Sequence, residues 1–289
     1  MNLKNRALLF VLGMSFAFLL PGVASAGYDE GVAAYKNKDY ATALQEFRQI
    51  ASQGNAEAQT YLGVMYDNGQ GVSQDYKEAK KWYRLAAAQG SAFAQNNLGQ
   101  LYGNGQGVTQ DYKEAMKWFR LAAAQGHADA QFNLGAMYKN GQGVSQDYKE
   151  AVKWSRLAAE QGHAFAQYNL GWLYKNGQGV SKDYKEAVKW YRRAAEQGFA
   201  SAQTNLGAMY ADGQGVSLSR VVAYALYNHS AAEDSSTNNK ATENRKDLSE
   251  RMQTREVHAA QDLTRELAKP GNLLKALDKY VQGSAVSKK

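Results

Sequence analysis

The sequence predicts an all-α fold, an α-solenoid of stacked helix-turn-helix units closed by a C-terminal helical cap. The chain repeats itself every 36 residues, as Leu62 and Leu98 illustrate. Within each unit the apolar residues recur at spacings of three and four, which is the period of one helix face, and no stretch shows the alternation of a half-buried strand. A unit this short cannot bury its own apolar face, so it must stack on its neighbours.

The first 26 residues are predicted to be a secretory signal peptide. Lys4 and Arg6 precede the uncharged, mostly apolar run 7–20, and the small residues Ala24-Ser25-Ala26 follow it. The apolar run is shorter than the ~20 residues that a membrane-spanning helix needs. We therefore expect cleavage after Ala26 and a periplasmic or secreted protein, if the source is bacterial, with no stable membrane insertion after cleavage.

Residues 27–54 are predicted to form a truncated N-terminal repeat, and residues 55–232 five repeats, of which the last is divergent. In each repeat a first helix, helix A, is joined to a second, helix B, by a loop with two glycines, such as Gly69 and Gly71. Glycine can adopt the positive φ that ends a helix and turns the chain. Asp75 and Glu78 then have the spacing of a capping box at the start of helix B.

The remaining residues are predicted to close the array. Residues 233–282 are expected to hold capping helices: after the polar loop 233–240, two amphipathic segments run up to Pro270. An array needs ends with one polar face, which such helices would supply. The tail 283–289 is predicted to be disordered.

A repeated string carries a family resemblance. It reads Ala-x-Ala-Gln-x-x-Leu-Gly-x-x-Tyr-x-x-Gly-x-Gly-Val, then Asp-Tyr-x-x-Ala-x-x-Trp-x-x-x-Ala-Ala-x-x-Gly, and it recurs four times almost complete from Asn55 to Gly198. This string resembles the Sel-like repeat (SLR), a relative of the tetratricopeptide repeat. The resemblance implies a right-handed solenoid whose A helices line a concave groove that holds a partner segment. It also implies a role in envelope signalling, polysaccharide-assembly complexes or contact with host cells, where bacterial members of the family commonly act.

By this resemblance, the candidate binding residues are the helix A positions that differ between repeats, together with a row of asparagines beside them. An asparagine amide can both donate to and accept from the backbone of an extended peptide, and aromatic side chains supply apolar anchors. We therefore predict a protein or peptide partner, bound by a monomer. The predicted partner-binding residues are Asn97, Asn133, Asn169, Asn205, Phe132, Phe165, Tyr168, Trp172, Lys139 and Lys175.

Other patterns are interpreted as structural. The tryptophans at positions 82, 118, 154 and 190 stand beside alanine pairs at helix B spacing, so we expect them in the core rather than in a stacking platform. The glycine loops follow helices instead of strands, which disfavours a phosphate site. His127 and His163 occupy equivalent turns of adjacent repeats, and we interpret them as solvated turn residues rather than metal ligands that would use Asp129. We predict no metal site and no cofactor.

The composition disfavours several functional classes. The chain has no cysteine, which excludes a disulfide framework, a thiolate zinc site and a cysteine nucleophile. The formal net charge is +7, but lysine and glutamate alternate along helix B, so no basic stripe for nucleic acid is predicted.

We predict a non-enzymatic protein, because motifs for a serine nucleophile or a zinc protease are missing after residue 26. Two alternatives stay open. Some cysteine-rich SLR members have been linked to penicillin binding and weak β-lactamase activity, which makes a β-lactamase-like enzyme the first. Binding of cell-wall material or carbohydrate by exposed aromatic side chains is the second.

Overall fold

The computed structural model describes residues 21–234 and 240–286, and the regular structure in these two ranges is entirely helical. Fifteen helices lie within them, which confirms the all-α prediction. Their bounds are α1 Pro21–Lys36, α2 Tyr40–Ala51, α3 Ala56–Asn68, α4 Tyr76–Ala88, α5 Ala92–Asn104, α6 Tyr112–Ala124, α7 Ala128–Asn140, α8 Tyr148–Glu160, α9 Ala164–Asn176, α10 Tyr184–Glu196, α11 Ala200–Asp212, α12 Arg220–Glu233, α13 Ala241–Ser249, α14 Thr254–Leu267 and α15 Leu273–Val286.

Most of the predicted signal peptide lies outside the described residues. Its last six residues, 21–26, form the beginning of α1. Among the helices of the described ranges, none combines the length and the apolar character that a membrane span requires. Cleavage after Ala26 stays a prediction.

The chain divides into two compact units, the first ending at Trp82 and the second beginning at Tyr83, within α4. In the first unit, α1 packs on α2 and α2 packs on α3. The assignment of residues 27–54 to a truncated repeat stays a prediction. Its core is centred on Phe47, whose ring stacks on Tyr61 with centroids 4.6 Å apart. Gly31 of α1 allows this arrangement, because a Cβ there would lie 2.8 Å from the Phe47 ring.

The second unit is an α-solenoid of helix pairs, in which each helix from α5 to α12 packs on the next. The repeated leucine of helix A is buried in every repeat, as predicted from the 36-residue period.

The prediction that the four tryptophans lie in the core is only partly right. Trp190 is buried, whereas Trp82, Trp118 and Trp154 are half-buried. The position that follows the tryptophan is buried instead, and an aromatic ring fills it in most repeats because it points directly at helix A; these residues are Tyr83, Phe119, Ser155 and Tyr191.

Helix B begins at an aspartate cap, but the predicted capping box is incomplete. Asp147, for example, accepts hydrogen bonds from the backbone N–H groups of Lys149 and Glu150. The Glu150 side chain does not return to the backbone. It lies 3.4 Å from Lys153 Nζ instead, and the same glutamate–lysine pairing recurs in the other B helices.

Two glycines of each repeat allow close packing. In helix A, Gly171 faces the ring of Tyr191, which a Cβ would approach to 2.8 Å. In the loop, Gly143 has a φ of +70°, and a Cβ there would lie 2.6 Å from the carbonyl oxygen of Tyr112, the first residue of the preceding helix B. The second glycine of the loop therefore rests on the neighbouring repeat, which fixes the spacing between repeats.

A ladder of buried glutamines also joins the repeats. Gln131 Nε2 donates to the carbonyl oxygen of Ala123 at the end of the preceding helix B, and its Oε1 accepts from Gln161 Nε2 at 2.7 Å. The Ala123 carbonyl also accepts the backbone N–H of Gly126 at 3.0 Å, so the glutamine supplies a second hydrogen bond at the end of helix B. Gln95 and Gln167 make the same two bonds, with Gln125 and Gln197 as donors.

The C-terminal end holds three helices, one more than the amphipathic pattern predicts. α13 and α14 pack on α12, as expected of a cap, and α15 packs on α14 and reaches back to α10. There Arg192 and Asp278 form an ion pair of 2.6 Å. The predicted disordered tail is wrong for residues 283–286, which continue α15, because the buried Leu273 and Leu277 anchor that helix. Residues 235–239, which belong to the predicted loop 233–240, and residues 287–289 lie outside the described ranges.

Candidate functional site

The predicted binding residues lie on the helix A of each repeat in the second unit. Each such helix has 13 residues, and side chains three or four apart share one side of it. We call the surface they form the A-helix face. Its residues are Phe93, Asn96, Asn97, Gln100 and Gly103 of α5; Asp129, Phe132, Asn133, Ala136 and Lys139 of α7; Phe165, Tyr168, Asn169, Trp172 and Lys175 of α9; and Ser201, Thr204, Asn205, Ala208 and Ala211 of α11.

The asparagine row is half-buried, and three of its four amides already join neighbouring A helices. Asn133 Nδ2 donates to Asn96 Oδ1 on α5 at 3.2 Å. Asn169 Oδ1 accepts from Lys139 on α7, and Asn205 Nδ2 donates to the Tyr168 hydroxyl on α9. An amide has capacity for more bonds than these. The row therefore aligns the helices and keeps part of its capacity for a partner.

The aromatic residues form a continuous cluster across α7, α9 and the start of α11. Phe165 is the most exposed of them, with 53% of its surface accessible. It meets Phe199 edge to face at 4.6 Å and lies 5.9 Å from Phe132. Tyr168 approaches Phe199 at 5.1 Å and the buried Tyr191 at 5.8 Å. This contact chain holds the exposed ring of Phe165 in place from the core outward.

Trp172 and Lys139 contact each other instead of projecting freely. Lys139 Nζ lies 5.0 Å from the centre of the Trp172 ring and 3.5 Å from Asn169 Oδ1. Burial lowers the pKa of the Lys139 ammonium. Trp172 is half-buried and packs on the core clusters beneath α9. Lys175, one repeat later, is half-buried on the same face.

The two turn histidines are half-buried, so their interpretation as solvated residues is wrong. His163 caps α9, since its Nδ1 accepts the backbone N–H of Ala166 at 3.2 Å, and its Nε2 lies 3.1 Å from Asp129. Its ring stacks on Phe132 at 4.7 Å. His127 does not cap α7, and its buried Nδ1 has no hydrogen-bond partner within the described ranges. Desolvation lowers the pKa of His127, and the nearby Asp129 opposes this effect.

The position immediately before helix A is also part of this surface, although it was not among the predicted binding residues. That position carries Asn55, Ser91, His127, His163 and Phe199 in the five repeats. The residue type at this position varies between repeats as strongly as in the predicted stripe of helix A. This variation could have identified the position from the sequence. Phe93, which belongs to the variable stripe of helix A, is 47% exposed, and its ring lies 6.0 Å from that of His127 at this position.

The residues described here offer no set of three histidine, cysteine, aspartate or glutamate side chains arranged to hold a metal ion. The His163–Asp129 contact is a pair of side chains, linked by a hydrogen bond across two A helices. The chemistry of the A-helix face is therefore that of rings, amides and isolated charges.

Comparisons with known proteins agree with this architecture. The Sel1 repeat model matches five consecutive segments, residues 56–91, 92–127, 128–163, 164–199 and 200–235. A solved Sel1 repeat protein from Oxalobacter formigenes is 39% identical and has a TM-score of 0.66, over 71% of this chain and 84% of that one. No curated protein matches the chain.

Two other solved structures are more distant. A protective antigen present in uropathogenic Escherichia coli strains, which displays an SLR fold, is 25% identical over 90% of this chain and 79% of its own, with a TM-score of 0.44. A putative Sel1 repeat protein from Klebsiella pneumoniae is 24% identical over 71% of this chain and 98% of its own, with a TM-score of 0.45.

Proposed function

Because the chain belongs to the Sel1 repeat family, we propose that it is an exported, non-enzymatic scaffold that binds a protein or peptide partner on the A-helix face. The Sel1 repeat fold is consistent with a scaffold for protein–protein interaction. The observation that carries the proposal is the exposed ring of Phe165, held by Phe132 and Phe199 within a row of half-buried amides. Its setting would be envelope signalling, assembly or contact with a host cell.

The aromatic cluster has the properties of an interaction hot spot. Large aromatic side chains contribute much of the energy of protein interfaces when a partner covers them. Phe165 is exposed to water, yet three neighbouring rings restrict its motion. A partner that covers this ring would gain apolar burial at a small cost in side-chain entropy.

The polar groups beside the cluster favour an extended peptide. The amides of Asn133, Asn169 and Asn205 follow one another on adjacent helices and retain hydrogen-bonding capacity. The unpaired N–H and C=O groups of an extended chain require partners of this kind at regular intervals. The aromatic rings can contact the side chains of a peptide, and the amides can bond to its backbone. Together they support a peptide ligand.

Export rests on the N-terminal sequence. The basic residues, apolar run and small residues of positions 1–26 support secretion with cleavage after Ala26. Intact-mass measurement of the protein from cell and periplasmic fractions tests this directly. A periplasmic form beginning at Gly27 is expected, and a full-length form confined to the cytoplasm would contradict export.

Site-specific photocrosslinking tests the binding surface. A photoreactive benzoylphenylalanine at position 165 should crosslink a partner, whereas the same residue at the exposed position 153 of α8 should not. The captured protein is then purified, and its binding to wild type and to the Phe165→Ala and Lys153→Ala variants is measured by calorimetry. We expect Phe165→Ala to weaken binding at least ~10-fold, the size typical of a hot-spot residue, and Lys153→Ala to leave it unchanged.

Equal crosslinking at both positions, or equal affinity of both alanine variants, would contradict the proposal. Phe165 is the better probe than the asparagines, because Asn133 and Asn169 also join neighbouring A helices. Their replacement is expected to lower stability together with binding.

A further inference from the structure

The A-helix face contains a cavity of about 360 Å³ between α5 and α7. Gly103 lies at its edge on α5, and Asn133 and Ala136 line it from α7. Phe119 and Tyr112 of α6 supply aromatic walls. The residues that line it are all uncharged.

The cavity exists because two positions that carry large side chains in the next repeat carry small residues here. Positions 103 and 136 carry glycine and alanine, whereas 36 residues later the chain has Lys139 and Trp172. Lys139 reaches the equivalent place between α7 and α9: its Nζ lies 3.5 Å from Asn169 Oδ1 and 5.0 Å from the Trp172 ring centre. Asn169 is the counterpart of Asn133, which lines the cavity. The space between α7 and α9 is therefore occupied by Lys139, whereas the equivalent space between α5 and α7 is open.

Internal hydrogen bonds already use several of the amide donors that line the cavity. Asn133 donates through Nδ2 to Asn96, and Gln110 donates through Nε2 to the Gly103 carbonyl and the Tyr112 hydroxyl. The carbonyl oxygens of these two amides remain available as acceptors. Gln142 is a third amide on the cavity wall.

We propose that this cavity is a subsite for a lysine side chain of the partner, which deepens the proposed function and rests on it. The aliphatic stem packs against the rings of Phe119 and Tyr112, which line the cavity. The ε-ammonium donates to the carbonyl oxygens of Asn133, Gln110 and Gln142, in the way that Lys139 donates to Asn169. A lysine ammonium has three donors, one for each of these carbonyl oxygens.

The test uses N-acetyl-lysine-methylamide as the probe, titrated into the full chain and followed through the side-chain amide signals of Asn133 and Gln142 by ¹⁵N NMR. N-acetyl-norleucine-methylamide, which has an apolar stem of similar length and no ammonium, is the matched control. We expect the lysine probe to shift these signals saturably and the norleucine probe to bind at least ~10-fold more weakly, the ratio to which a 1.4 kcal/mol difference corresponds.

The Gly103→Lys variant gives the second arm. Its new side chain would occupy the cavity as Lys139 occupies the equivalent place, and a Cβ at Gly103 meets only Ala115, at an ordinary 3.7 Å, so the variant is expected to fold. The lysine probe should then no longer shift the two amides. Equal binding of both probes, or an unchanged response in Gly103→Lys, would overturn the subsite.

The two proposals can fail separately. If position 165 crosslinks a partner but the lysine probe does not bind, only the lysine subsite is lost. If the probe binds but no partner is captured at position 165, the failure lies with the proposed function, since the cavity would then take a lysine outside any interface.

Discussion

At the scale of single residues, the glutamine ladder shows how a buried polar side chain is satisfied in one repeat and left incomplete in another. Gln203 donates to the Ala195 carbonyl like its counterparts, but its buried Oε1 has no partner among the residues described. In the earlier repeats the donor stands 30 residues later, as Gln197 does for Gln167. Position 233 carries glutamate instead. A carboxylate cannot donate, so the ladder ends one bond short.

Glu233→Gln is therefore expected to stabilise the protein. The new amide can donate to Gln203 Oε1, and a net gain of about 0.5–1.5 kcal/mol is typical of one hydrogen bond. Urea unfolding monitored by circular dichroism measures it. Gln161→Glu is the matched converse, which should lower the free energy of unfolding by removing the donor to Gln131. A loss of stability in Glu233→Gln would show that the fifth repeat does not use this geometry.

Two glycines of helix A allow a second test at this scale, because their surroundings differ. A Cβ at Gly135 would lie 2.7 Å from Ser155 Oγ and 3.1 Å from the Ser155 backbone nitrogen, whereas a Cβ at Gly103 meets nothing closer than 3.7 Å. Gly135→Ala should therefore destabilise by about 1–3 kcal/mol through overpacking. Gly103→Ala should stabilise by up to about 1 kcal/mol through helix propensity. Thermal unfolding of both variants would show opposite shifts; shifts of the same sign would mean that helix packing does not decide the choice of glycine.

At the scale of the helix, the starts of the A helices reveal uneven capping. Asn55, Ser91 and His163 each accept a backbone N–H of the first turn, whereas His127 and Phe199 do not. The residue type explains the difference for asparagine and serine, which are strong caps. It does not explain the two histidines. Their difference comes from the surroundings: Asp129 holds His163 through Nε2, which leaves Nδ1 to face the helix.

His127→Asn is expected to stabilise α7 and to reduce acid sensitivity. Asparagine would supply the missing cap, as Asn55 does for α3 at 2.7 Å, and such a cap contributes about 1 kcal/mol. Burial lowers the pKa of His127 below its ordinary 6.5, so the folded state binds its proton less readily than the unfolded state. The stability that neutral His127 contributes to the free energy of unfolding is therefore fully present above pH 6.5, and it is lost as the pH falls below that value.

Melting temperatures of wild type and His127→Asn between pH 7.5 and 5 check both effects. The variant should melt higher at pH 7.5, and the difference should grow as the pH falls. His163→Asn is the control, because His163 already caps its helix and its replacement gains no cap. A constant difference across this pH range would contradict the assignment of the acid sensitivity to His127.

At the scale of the whole molecule, the sequence predicts what repeats and misses what depends on single contacts. The 36-residue period gave the helix pairs, the buried leucines and the stripe that forms the A-helix face. It could not place Lys139 on Trp172 or His163 on Phe132, because neither pair recurs at the 36-residue period and the paired residues lie 31–33 positions apart. α15 was missed for a related reason: it follows Pro270, outside the period, and Leu273 and Leu277 bury it against residues distant in the sequence.

Removal of residues 235–289 tests the role of the C-terminal helices in the full array. Ala241 of α13, Leu263 and Leu267 of α14 and Leu273 and Leu277 of α15 share one buried cluster with Val222 and Leu226 of α12. Without them the last repeat would expose a contiguous apolar surface, which in a soluble protein leads to self-association. We expect the shortened chain to bind more of the dye ANS, to melt at a lower temperature and to form oligomers in light scattering after size exclusion. Removal of residues 287–289 alone is the control and should change none of these. A shortened chain that stays monomeric with an unchanged melting temperature would show that the array is complete at α12.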